Sequence, residues 1–330
     1  ARRLTKTEYR FTVQDLLGIQ WDVTKYLPDE VESGSFDTVG STQRLSAIHM
    51  EGLLHAADEA LTQAIALGPN PYRETSLDFE NSANLRYFDD KAFHEGGNIM
   101  RHLDNGVVIF VDNDYLIDSY RSMGTSIEIP GAYRITASLE AFQTKQSVTY
   151  KIIARRPSGD ASLIKVDDLD PGEPTDIEAD AYLEPGDSFY VTMHTYDSGA
   201  AFLALTAIDV KDYQGPGLAI RSLGVAGPIH DAWPPKSTRD LLRGVELVTN
   251  AQTGGTEIKF SKQPIEHVRE IVGTFAERAF RRPIQPAEIE SFVELAQPAI
   301  EAGLPFEEVI RVPLRSILCS PQFLMYAGQP

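Results

Sequence analysis

The period of the hydrophobic positions changes twice along this chain. Near the N-terminus Tyr9, Val13, Leu16 and Leu17 recur at helical spacing, and Leu53, Leu54, Ala57, Leu61, Ala64 and Ile65 do so again. Each run predicts a helix with its own start signal. Thr5 and Glu8 form a capping box, Leu4 and Tyr9 take the staple positions, and Gly18 supplies a left-handed stop. Leu45, Ser46 and Met50 repeat the staple geometry before the second run, which ends at Gly68. Between them Trp21 to Thr42 is polar and acidic, broken by Pro28, Gly34 and Gly40, and reads as a long loop.

From 131 to 196 the period becomes two. Tyr133, Ile135, Ala137, Leu139 and Ala141 alternate with Arg134, Thr136, Ser138 and Glu140, so one face enters a core and the other meets water. Val148, Tyr150, Ile152 and Ala154 repeat the pattern, as do Phe189, Val191 and Met193, and Pro171-Gly172 and Pro185-Gly186 punctuate these strands as turns. Strand signals begin near Leu85. Val107 to Val111 reads as a buried central strand and Gly217 to Val225 as the closing one. Helical spacing then returns. Gly227 to Pro235 is an ordered linker anchored by Trp233, Ser237 caps a short helix, and Thr249 to Thr256 is a loop. Pro264, Pro286 and Pro305 each open a helix, the third expected to kink at Pro313. The fold class expected is multidomain α + β. A jelly-roll antiparallel β-sandwich at 85–226 is flanked by helical domains at 1–84 and 264–330, with a linker and short helix at 227–263.

Length and charge narrow the classes of partner. A chain of 330 residues holds two or three domains, each able to bury its own core. Its 30 Lys and Arg face 48 Asp and Glu, a net charge of −18, which repels nucleic-acid phosphates and anionic membranes. Nucleic acid is disfavoured as a partner on that ground, so none is expected, and no apolar run is long enough to span a bilayer. Cys319 stands alone, so no internal disulfide, paired-cysteine zinc spacing or covalent c-type haem is expected in this chain. The chain begins at Ala1 without a signal pattern, so a leader or larger upstream region is expected to have been removed.

Two constellations carry candidate chemistry. Asp112, Asp114 and Asp118 follow the apolar run, and hard oxygen donors there suit a structural Ca²⁺, although the EF-hand glycine and terminal glutamate are absent. A solvated acidic turn is the alternative. Tyr115, Tyr120 and Tyr196 lie in or beside loops, where flat rings stack on sugar faces while Asp118 and Asp197 accept hydroxyl hydrogen bonds. Aromatic packing at sheet edges is the alternative there. Arg278, Arg281 and Arg282 form a basic spot, facing either neighbouring glutamates or an anionic ligand. The histidines form no HExxH, and no GxSxG, P-loop or Rossmann fingerprint occurs.

Three stretches also carry a family resemblance. RRLTKTEYRFTVQDLLG, GPIHDAWPPKSTRDLL and FAERAFRRPIQPAEI with FEEVIRVPLRSILCSPQFLMY resemble large planctomycete proteins built from conserved domains of unknown function, often accompanied by a c-type cytochrome module. The resemblance implies an exported protein, periplasmic or at the cell surface, with a sandwich similar to carbohydrate-binding modules between helical domains. Relatives continue past SPQFLMY, so the C-terminal domain reads as truncated. The function expected is non-catalytic glycan recognition and scaffolding within a larger exported protein. Its partners are then a polysaccharide or cell-surface glycan and the parent's other domains. The alternative is part of an extracytoplasmic polysaccharide-processing or cytochrome-linked redox enzyme whose catalytic region lies outside this chain.

Overall fold

The N-terminal capping box forms as its residues dictate. Thr5 Oγ1 accepts from Glu8 N, the Glu8 carboxylate accepts from Thr5 N, and helix α1 runs Lys6–Leu17 before Gly18 closes it in the left-handed region. The computed structural model describes residues 2–28, 46–83, 85, 100–112, 117–195, 210 and 212–326. They divide into two units, one of residues 1–70 with 230–330 and the other of 71–229.

In the first unit both ends of the chain build one core. Strand β1 (Arg2–Arg3) pairs antiparallel with β13 (Met325–Tyr326), and Leu4 N donates to Leu324 O at 2.7 Å. Tyr9 meets Phe323 edge-on at 6.0 Å between ring centroids. Helix α2 (Ala47–Ala64) turns Leu53, Ala56, Ala57, Ala60, Leu61 and Ala64 into the same cluster as Val268, Val272 and Phe275 of α5 (Pro264–Phe280) and Ile310 and Leu314 of α8 (Phe306–Leu318), whereas Leu54, expected on that face, is exposed. The stretches expected as separate domains at 1–84 and 264–330 thus contribute to a single core. Two polar contacts also join α2 to α8, Arg315 to Asp58 at 3.0 Å and Arg311 to the Thr62 hydroxyl at 2.9 Å. Pro264 and Pro286 sit in first turns, as expected, and Pro313 lies inside α8. Short helix α4 (Lys236–Leu241) carries Thr238, whose hydroxyl donates to Ala64 O and accepts from Ala66 N, satisfying the end of α2. Trp233 anchors the linker by donating to Gly68 O at 2.8 Å. The stretch read as a loop around Gly254 is the turn of a hairpin, β11 (Glu246–Thr249) with β12 (Thr256–Lys259). Among the described residues no helix is long and apolar enough to cross a membrane.

The second unit contains two antiparallel sheets. In the larger, β3 (Met100–Leu103), β4 (Gly106–Ile109), β10 (Gly217–Gly227), β5 (Gly131–Phe142) and β8 (Thr175–Leu183) follow in that order, and β2 (Arg73–Ser76) also pairs with β10. The smaller runs β7 (Ala161–Leu169), β6 (Val148–Arg155), β9 (Ser188–Met193). Ile135 and Leu139 of one sheet and Tyr150, Ile152, Phe189 and Val191 of the other enter a shared core, so the alternation in the sequence does select the inner faces. The strand expected at Val107 to Val111 is β4, covered on both sides, and the closing strand is β10. Strand β2 was not expected. Its RETS sequence is exposed or half-buried throughout and has no apolar alternation to announce it.

Candidate functional site

Strand β10 lies between β5 and, on its other edge, β4 and then β2. Leu223 and Val225 point into the core, so Gly224 and Ala226 face the opposite way, outward. The register sets two rows across four strands. Glu74, Ala226, Arg134 and Asp180 form the first, and Ser76, Gly224, Thr136 and Glu178 the second. Because the β10 members are small while those on β2 and β5 are longer, an open trough of about 540 Å³ follows β10 over Gly224 and Ala226. Two strand spacings separate its walls, roughly 9–10 Å between backbones.

Tyr72, 43% exposed, stands at the trough's end and donates its hydroxyl to Glu74 Oε1 at 2.5 Å. That bond to a carboxylate raises the pKa of the phenol. Opposite, Arg134 grips Asp180 with Nε and Nη2, at 2.8 and 3.1 Å, and lies 3.6 Å from Glu178. The pair hold each other ionised, Asp180 raising the guanidinium and Arg134 lowering the carboxyl. The trough therefore combines one aromatic ring, a floor that admits close approach, and fixed donors and acceptors on both walls. A second cleft of about 360 Å³ opens on the other side of β2, lined by Arg73, Thr75, Tyr133 and Gly227. The helical unit carries an apolar groove of about 560 Å³ between Ile258, Phe260, Leu304 and Phe306.

Of the residues singled out from the sequence, Asp114, Tyr115, Tyr196 and Asp197 lie outside the described residues. Asp112 accepts from Lys151 Nζ at 2.5 Å and from Thr192 Oγ1 at 3.0 Å. Asp118, buried, caps the short helix α3 (Ser119–Met123) by accepting from Tyr120 N and Arg121 N, and takes a third bond from Ser188 Oγ at 3.1 Å. Both carboxylates are thus engaged with protein donors, and among the described residues no group of three His, Cys, Asp or Glu is arranged to hold a metal ion. Tyr120 is 64% exposed but does not line the trough; Asp118 beside it bridges to Tyr190 of the smaller sheet. The arginine spot is taken up within the helical unit. Arg278 donates to Leu16 O at the end of α1, and Arg282 pairs with Glu288, whose carboxyl it holds at about 2.

The sequence reading missed the residues the trough uses, Tyr72, Glu74, Arg134 and Gly224. One signal was present, since Gly224 and Ala226 are small at alternate, outward positions of an apolar strand, a mark of close approach to the backbone.

Two families match parts of the chain. PSD3, described as a protein of unknown function (DUF1587), matches residues 2–66, and PSD5, a protein of unknown function (DUF1595), matches residues 267–327. No curated protein matches. Among solved structures, the CBM22-1 and GH10 modules of the N-terminal endo-1,4-beta-D-xylanase 10B of Clostridium thermocellum, complexed with xylohexaose, are similar at TM-score 0.25 and 10% identity. That match covers 36% of this chain and 21% of the xylanase chain. A structure of infectious bursal disease virus Gx strain is similar at TM-score 0.20 and 11% identity, over 70% of this chain and 53% of the viral one. At those scores neither likeness carries an argument about fold or activity.

Proposed function

We propose that residues 71–229 form a glycan-binding module of jelly-roll type, a non-catalytic recognition and scaffolding segment of a larger exported or cell-surface protein, and that the saccharide lies in the trough along β10. The observation that carries this reading is the geometry of the two cross-strand rows. Saccharide sites need an apolar ring face and a few placed hydrogen-bonding groups. Here Tyr72 supplies the ring, and Glu74, Ser76, Arg134 and Thr136 supply the groups around a floor of Gly224 and Ala226. The carboxylates nearest the trough are held by Tyr72 and Arg134, an arrangement that orients acceptors for sugar hydroxyls.

Titration calorimetry of the intact protein with neutral oligosaccharides of increasing length, up to the hexasaccharide, tests it. Binding is expected to strengthen with chain length and to fall at least tenfold in Tyr72→Ala and in Thr136→Val. Binding indifferent to both changes, or release of reducing ends over time, refutes a non-catalytic site in this trough.

A further inference from the structure

Resting on the saccharide reading above, we infer that the trough selects glycans carrying free amines, polymers of unacetylated amino sugars, over neutral or acidic ones. The charges along the two rows are unbalanced. Glu74 stands on one wall, and Glu178 and Asp180 stand behind Arg134 and Thr136 on the other. Asp176 continues the β8 row one step further, opposite Ser138. Against these four carboxylates the two rows present, among the described residues, one guanidinium, Arg134; further along the same outward face Arg221 is paired with Glu140 at 2.6 Å, so that pair leaves the balance unchanged. Lys165 approaches β8 from the adjacent strand, but its ammonium donates to the backbone oxygen of Glu178 at 3.1 Å. Arg73 belongs to the cleft on the far side of β2, since it pairs with Gly227 and alternates with Glu74.

The availability of each charge decides the sign of the selection. Arg134 already donates two hydrogen bonds to Asp180 and faces Glu178 at 3.6 Å, so a sugar carboxylate or sulfate entering the trough meets a guanidinium whose charge two carboxylates already balance. Glu74 accepts from the Tyr72 hydroxyl through Oε1, and its carboxylate lines the trough, where a second donor can reach it. A protonated amine is the donor that gains most there, because a charge-assisted bond is roughly twice as strong as a neutral one. The net charge of −18 adds a long-range attraction for the same polymers and a repulsion for polyanions. Acetylation removes the amine's charge while leaving the pyranose face for Tyr72, so the acetylated and free forms separate charge from stacking.

Calorimetry of the intact protein with glucosamine hexamer, N-acetylglucosamine hexamer, cellohexaose and a galacturonate hexamer, at low and high salt and at a pH where the amine is protonated, tests the inference. The glucosamine hexamer is expected to bind on the order of tenfold tighter than the acetylated one at low salt, the ratio shrinking as salt screens the pair. In Glu74→Gln the two affinities are expected to converge. Equal affinities in the unaltered protein, or tighter binding of the acetylated or acidic hexamer, overturn the inference and leave the saccharide site standing. Glucosamine binding that survives both Tyr72→Ala and Glu74→Gln identifies diffuse attraction to an acidic protein and overturns it as well. Failure of all four hexamers to bind overturns the saccharide reading itself.

Discussion

Replacing His267 by leucine is expected to stabilise the helical unit. The imidazole is fully buried on α5, against the Phe260 ring at 5.7 Å between centroids, and neither ring nitrogen has a hydrogen-bond partner among the described residues. A neutral imidazole always presents one N–H donor and one acceptor, and a buried polar group left unpaired costs about 1–3 kcal/mol. Leucine has similar bulk, removes both polar atoms and is the better helix former by a few tenths of a kcal/mol. The expected gain is therefore about 2 kcal/mol. With a urea m-value of about 2 kcal/mol per molar, the unfolding midpoint rises by about 1 M. Both tryptophans of the chain, Trp21 and Trp233, belong to the helical unit, so intrinsic fluorescence follows that unit's unfolding. His267→Gln is the control, since it keeps a polar group in the same place and is expected to bring no gain. A leucine variant with a lower midpoint refutes the reasoning, because the imidazole would then be satisfied, as by a buried water, and its removal would cost a real interaction.

Glu8, held at about 2 first by its hydrogen bonds to Arg2 and also by the Thr5 backbone, titrates below its unfolded value, so its contribution is present above about pH 4.5 and lost as pH falls toward 2. Acid unfolding followed by fluorescence is expected to be less steep across that window in Glu8→Gln, and an unchanged profile refutes the assignment. Gly224→Val is expected to abolish hexasaccharide binding while changing the stability of residues 71–229 by no more than about 1 kcal/mol, because it fills the trough floor on a strand that favours branched residues; retained affinity in calorimetry counts against the trough. Excess chelator is expected to leave the melting of the same unit unchanged, since Lys151 already neutralises Asp112 and Asp118 serves as a helix cap; a fall in melting temperature restores the case for Ca²⁺ at that turn.

What could be read from the sequence was local. The capping box of Thr5 and Glu8, the prolines that open α5 and α6 (Pro286–Val293), and the alternation in β5, β6 and β9 are each settled within a few residues, and each formed where its chemistry placed it. Strand β2 carries no such signal. It is an edge segment with little buried surface, held by its backbone pairing to β10, and that pairing depends on a partner far away in the chain. The trough inherits the same difficulty, because Glu74, Arg134 and Asp180 become neighbours only through the register of four strands. Asp112 and Asp118 show the converse. A carboxylate that caps a helix or meets a lysine offers the same oxygens as one that binds calcium, and only the positions of Lys151, Thr192 and Ser188 separate the two uses.

Gly224 links the fold to the proposed activity. Glycine in a strand interior is destabilising by roughly 0.5–1 kcal/mol relative to alanine, so a reason for it is required. Backbone conformation does not supply one, since Gly224 is not among the positive-φ glycines. Local crowding supplies only part of one. A Cβ there would meet Thr136 Oγ1 at 2.9 Å and Thr75 O at 3.4 Å, and the first of these is a hydroxyl on a rotatable side chain. With Ala226 two residues on, also small and also outward, the pattern keeps side-chain bulk off one strand between two walls that carry the polar groups. A sheet face needed only for solubility would gain by filling those positions with threonine or a charged residue, which pack across strands and protect the surface. The low profile of β10 is what the proposed saccharide would use, and the Gly224→Val comparison of affinity with stability separates that cause from packing.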